Sequence, residues 1–214
     1  MAAKIVKIYM VRHGETFDNV ENKMSGQKET ELTEKGKRQA LVAGEKLKEK
    51  GICPDVILCS PLSRAVNTAN LINESFGVNV IRKKDLQEYY FGDYEGAKIE
   101  EFEKIVFSPP HVCGDVMIHN GKEMRYYHGE FDQKYNVVFF PNGETKQQAI
   151  FRFLKEIESY LAENKDVDNL LIVAHGAIMR FVLCSISMNI LTEKVKNGEV
   201  YEVCYSADRG FFVD

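Results

Sequence analysis

Two apolar runs in this chain end the same way. Ile5-Val6-Lys7-Ile8-Tyr9-Met10-Val11 stops at Arg12-His13-Gly14, and far downstream Leu170-Leu171-Ile172-Val173-Ala174 stops at His175-Gly176. Short runs rich in β-branched residues, closed by polar residues and glycine, read as buried strands. Open α/β sheets bind ligands beyond the carboxyl ends of their strands. Two strands that finish alike therefore predict two imidazoles at one site, with Arg12 adding a cation.

The intervening stretches supply the rest of such a sheet. Glu15 to Glu31 is polar and irregular, a loop over the strand ends. Thr33 reads as the N-cap of a helix with Ala40, Leu41, Gly44 and Leu47 on one face, small enough in part for close packing on a sheet. Gly51 to Pro54 breaks that helix, and Asp55-Val56-Ile57-Leu58-Cys59 is the next strand. Ser60 then suits an N-cap and Pro61 the first helical position, which places Arg64 in the opening turns, directed toward the sheet's carboxyl edge. The helix continues through Ala65, Ala69 and Ile72 to Phe76-Gly77, and Val78 to Ile81 forms a third strand.

Leu86 to Gly96 is acidic, aromatic and without clean period, hence a loop. Residues 97–140, with a helix suggested over Ile99, Phe102 and Val106, are read as an insertion covering the site. Order returns at Thr145 and Gln148, a capping box that opens a helix with Ile150, Phe153, Leu154, Ile157 and Leu161 at helical spacing. Ala177 to Met188 reads as an apolar helix, and Val200 to Tyr205 and Phe211 to Val213 as closing strands. The order β-α-β-α-β, insertion, α-β-α-β predicts a three-layer α/β/α fold around a mostly parallel sheet.

With 214 residues, 44% hydrophobic and 28% charged, the whole chain 1–214 is expected to form one globular domain. A formal net charge of −4 without a basic block argues against nucleic acid, so a cationic site has to be built by folding. Cys53, Cys59, Cys113, Cys184 and Cys204 are odd in number and form no C-x-x-C pair, which suggests neither a disulfide framework nor a zinc cluster. No segment reaches membrane-spanning length, and a cytoplasmic protein is expected. The expected partner is a small phosphorylated substrate, with no nucleic acid, no membrane, and a homodimer left open.

At the active edge this topology collects Arg12, His13, Arg64 and His175. Two arginines, two histidines and helix N-termini at Pro61 and Gly176 suit a small dianion, most naturally a phosphoryl group. The residues that carry the likeness follow in order: Arg12-His13-Gly14-Glu15-Thr16 with Asn19, Ser25-Gly26-Gln27, Leu32-Thr33-Glu34-Lys35-Gly36 with Gln39-Ala40, Ser60-Pro61-Leu62-Ser63-Arg64-Ala65, Glu88 with Gly92 and Glu95-Gly96, and Ala174-His175-Gly176. In these motifs the chain resembles the histidine phosphatase superfamily, in its phosphoglycerate-mutase-like branch, over roughly residues 4–96 and 141–213.

The residues and the resemblance agree on His13 as nucleophile through a phosphohistidine, with Arg12, Arg64 and His175 holding the phosphoryl oxygens and no metal or other cofactor required. The resemblance further implies Glu88 as acid and then base. Asn19 and the Ser25-Gly26 backbone either contact phosphate, as the resemblance implies, or shape a turn. Glu95 reads as a solvated loop carboxylate, and His111, His119, His128, Tyr126 and Tyr127 are candidates to line a substrate pocket. In the family's glycolytic mutases Gly-Leu-Asn-Lys follows the acid loop, the insertion carries an arginine pair, and Gly-Asn follows the second histidine. Here stand Gly96-Ala97-Lys98-Ile99, the single Arg125 and Gly176-Ala177, so hydrolysis of a small phosphorylated metabolite is expected over mutase chemistry. A protein phosphatase and an inactive binding member of the fold are the further alternatives.

Overall fold

The computed structural model describes residues 4–100, 140–186 and 195–213. The expected insertion at 97–140 lies almost wholly outside them, and with it His111, His119, His128, Tyr126, Tyr127 and Arg125. Strands β1 (Val6–Arg12), β2 (Val56–Cys59), β3 (Asn79–Arg82), β4 (Asn169–Ala174), β5 (Val200–Ser206) and β6 (Gly210–Phe212) form one sheet in the order β3-β2-β4-β1-β5-β6. The first four are parallel, and β5 and β6 run antiparallel at one edge.

Helices α2 (Glu34–Glu49) and α3 (Ser63–Asn73) cover one face; α4 (Lys146–Glu163) and α5 (Gly176–Ile186) cover the other. Alternation along the strands divides the core between them. Tyr9, Val11, Ile57, Leu171 and Val173 pack with Ala40, Ala43, Leu47, Ala65 and Ile72, while Ile8, Met10, Leu58, Leu170 and Ile172 pack with Phe153, Ile157, Met179 and Val182. A strand buried on both faces has no polar side to present, which is why these runs read as continuous apolar sequence. The expected three-layer α/β/α architecture is what the chain adopts.

The starts of α2 and α4 agree with the sequence reading, and two other helix starts depart from it. A short helix α1 (Phe17–Val20) interrupts the loop after His13, because Thr16 and Asn19 cap each other's backbone reciprocally. Thr33 and Thr145 cap α2 and α4 as expected, the latter in a capping box with Gln148. Helix α3, however, begins at Ser63 instead of Pro61. The Ser60 hydroxyl accepts from the Leu62 amide in a tight turn, and the exposed first amide of the helix, at Ser63, is bound by the Glu29 carboxylate at 2.9 Å. A cap brought in from a distant loop displaced the local one.

Candidate active site

Register places the two histidines side by side. Arg12 of β1 pairs with Ala174 of β4, so the next residues, His13 and His175, leave adjacent strand ends together. The His13 amide donates to the Ala174 carbonyl at 2.9 Å, and the two ring centroids stand 5.2 Å apart. Both rings are buried, at 3% and 0% exposure.

The hydrogen bonds decide the tautomers. His13 Nδ1 lies 2.7 Å from the Gly14 carbonyl oxygen, which can only accept, so Nδ1 carries the proton and Nε2 the lone pair. His175 Nδ1 lies 3.2 Å from Nε of Arg64, which can only donate, so the proton of His175 sits on Nε2. One ring thus offers a nucleophilic nitrogen and its neighbour a donor. The turn that presents His13 needs backbone-to-backbone contact: a Cβ on Gly14 would stand 2.2 Å from the Gly36 carbonyl oxygen, and one on Gly36 would stand 2.1 Å from that of Glu15. Thr68 receives the Gly14 amide at 3.0 Å and Gln39 the Glu15 amide at 2.8 Å.

Arg64, the second residue of α3, is 1% exposed. Beyond its bond to His175, it donates from its terminal nitrogens to the carbonyls of Lys28 at 2.7 Å and Gly26 at 2.6 Å. Each of those nitrogens retains one further N–H for an anion. Arg12 donates to the Val195 carbonyl at 2.7 Å, while its Nε, like His175 Nε2, is buried with no acceptor among the described residues. Its guanidinium lies flat against Gly176, where a Cβ would approach its carbon to 3.0 Å. The Gly176 amide heads α5 and has no intrahelical acceptor. Arg12 Nε and His175 Nε2 are therefore buried donors without an acceptor among the described residues, and the Gly176 amide is a third donor with none inside its own helix.

Glu88 is 7% exposed and bound at both carboxyl oxygens. Oε1 accepts from the amides of Tyr89 and Ile178 at 2.8 Å each, and Oε2 from that of Ala177 at 3.0 Å, so the side chain caps α5 directly after His175. This is no free loop carboxylate. Nor is Glu95, which was expected to be solvated: it is half-buried and accepts from the Gln27 amide at 2.7 Å, and burial raises its carboxyl above the ordinary value.

Asn19 spends its side-chain oxygen on the Thr16 amide and on Asn197, both at 3.2 Å, leaving its amide nitrogen as the remaining donor. Ser25 and Gly26 form the turn that Arg64 grips, with the Lys28 amide donating to Ser25. Several residues escaped the sequence reading. Asn197 donates to the His13 carbonyl at 2.8 Å, and Arg152 on α4 binds the backbone leading into Glu88. The Asn197-Gly198 pair carries a turn signal, and Glu144 and Arg152 flank the capping box at Thr145, but neither pattern points to the site by itself.

Burial, and then the Arg64 guanidinium, hold the His13 and His175 rings well below the ordinary 6.5, so both are neutral. An unfolded chain binds these protons near pH 6.5 and the folded chain only far below, so stability is full above that value and falls as pH drops toward the folded values. Thermal melts of the unliganded protein are expected to show Tm falling as pH is lowered from about 7.5 to about 5.5, less steeply in His175→Gln. A Tm flat across that window would contradict neutral, buried rings.

Comparison with known proteins fits this arrangement. The sequence profile of the histidine phosphatase superfamily (branch 1) matches residues 8–110 and 116–214. A protein of Bacillus subtilis (strain 168) described as an uncharacterized phosphatase, PhoE, is 32% identical over 184 residues, covering 84% of this chain and 77% of its own. A 2,3-bisphosphoglycerate-dependent phosphoglycerate mutase of Bartonella tribocorum is 30% identical over 190 residues, covering 84% and 80%. Among solved structures, phosphoglycerate mutase from Bacillus anthracis str. Sterne superposes with a TM-score of 0.79 at 23% identity, covering 99% of this chain and 92% of that one.

Proposed function

Because the chain belongs to branch 1 of the histidine phosphatase superfamily, we propose that it is a metal-independent phosphomonoesterase that acts on a small phosphorylated metabolite through a phosphohistidine at His13. One observation carries the reading: a buried imidazole with a free Nε2 lone pair stands beside buried donors on Arg12 and His175 that have no acceptor among the described residues. Unpaired buried donors are costly unless an anion completes them.

In the first step the Nε2 lone pair of His13 attacks phosphorus in line, forming the N–P bond as the ester P–O bond breaks. The leaving oxygen takes a proton from Glu88, held at Oε2, which accepts one amide where Oε1 accepts two. Arg12, Arg64, His175 Nε2–H and the Gly176 amide bind the non-bridging oxygens and offset their charge, the work a metal performs elsewhere. In the second step water attacks phosphorus, gives its proton to Glu88, and the N–P bond breaks to release phosphate and restore neutral His13.

Relatives of both kinds, phosphatase and mutase, are similar to this chain. Hydrolysis is favoured by Ile99 and Ala177, which stand where the glycolytic mutases carry lysine and asparagine. Phosphate release from phosphoserine, phosphoglycerates, sugar phosphates and 4-nitrophenyl phosphate, measured in excess chelator, tests the reading. Release unchanged by chelator is expected. Interconversion of 3- and 2-phosphoglycerate without release would make the chain a mutase, and release that needs added divalent cation would end the metal-independent mechanism.

A further inference from the structure

We infer that Arg152, paired with Glu144, is a positioning residue that aims the Glu88 carboxyl group at the reacting phosphoryl ester. The inference rests on the proposed acid role of Glu88. From α4, Arg152 donates to the carbonyls of Asp85 at 2.7 Å, Gln87 at 2.8 Å and Glu88 at 2.9 Å. The same guanidinium holds Glu144 in a two-point ion pair at 2.9 and 2.7 Å. Glu144 in turn accepts from the Tyr90 amide at 2.8 Å, and its own amide donates to the Tyr90 carbonyl at 3.2 Å. One ion pair therefore fixes the main chain on both sides of Glu88.

Attachment of this segment to the fold does not depend on that pair. Leu86 is fully buried in the core, and Lys83 forms its own ion pair with Glu156 of α4 at 2.9 Å. What Arg152 adds is direction. Three carbonyls converging from the single 3-10 turn Lys84–Leu86 and the two residues after it need donors at fixed angles, which a guanidinium fork supplies and an ammonium cannot. With the backbone so held, the Glu88 side chain reaches the Tyr89, Ala177 and Ile178 amides beside His175. A general acid must sit within hydrogen-bond reach of the leaving oxygen, and small misplacements cost rate steeply.

The test compares phenyl phosphate, whose leaving group needs a proton, with 4-nitrophenyl phosphate, whose leaving group does not. Arg152→Met is expected to lower kcat/KM for phenyl phosphate about tenfold more than for 4-nitrophenyl phosphate. In a Glu88→Gln background it should add no such selectivity. Amide hydrogen exchange at Ala177 and Ile178 should quicken in Arg152→Met, since their acceptor is no longer held. Arg152→Lys, which keeps the charge but loses the fork, gives the same split to a smaller degree and serves if the methionine variant does not fold. Equal losses on both esters, or unchanged exchange at the two amides, would overturn the inference. Should Glu88→Gln itself slow both esters alike, the acid reading falls, and exchange alone then decides whether Arg152 positions Glu88.

Discussion

Replacing His13 with alanine is expected to lower kcat/KM for any hydrolysed phosphomonoester by roughly 10⁴–10⁶, because no other described side chain offers a free imidazole lone pair at the site. The loss should fall on kcat, with phosphate still protecting the variant against thermal unfolding, since Arg12, Arg64, His175 and Gly176 remain. Turnover of labelled substrate stopped in alkaline denaturant should leave alkali-stable, acid-labile phosphate on the native protein and none on the variant. A variant retaining more than about one per cent of native kcat/KM would remove His13 as nucleophile.

Arg64→Ala is expected to weaken phosphate binding and chemistry together, lowering kcat/KM by about 10²–10³, the scale of losing a preorganised donor to developing charge. It should also destabilise the fold. The substitution orphans the buried Gly26 carbonyl and His175 Nδ1, at about 1–3 kcal/mol for each, while the Lys28 carbonyl can turn to water, and the loss is partly offset because a buried cation disappears. Arg64→Lys should recover stability better than activity, because an ammonium cannot meet two carbonyls, an imidazole and a phosphoryl group at once. Unchanged phosphate protection in Arg64→Ala would show that the guanidinium serves only the loop.

Much of this was legible because the signals are local. The strands ending at His13 and His175 announce themselves by composition, while their adjacency and shared register are seen only in the folded sheet. Thr33 and Thr145 carry their caps within three residues. What stayed hidden depends on partners far away in sequence. The start of α3 moved because Glu29 reaches Ser63 from another loop, and Glu95 looked solvated because its acceptor role toward Gln27 needs the folded turn. Arg152 was illegible for the same reason: on a helical wheel it is one more cation of α4, and only the approach of residues 85–90 gives it work. Glu88 was found by likeness, while its attachment to the Ala177 and Ile178 amides came from the geometry.

The sheet order also sets when the site can come into being. On either side of β1 lie β4 and β5, both far later in sequence, so β1 is made well before its neighbours. During synthesis α2, β2, α3 and β3 can gather early through contacts close in sequence, but β1 must wait for its flanking strands before its edges are paired. Until then a nascent chain carries Arg12 and His13 on an unpaired strand, without the donor from His175 or the brace from Asn197. Phosphoryl chemistry is thus withheld until β4 and β5 have been made, and β1 needs protection from edge-to-edge association along the way.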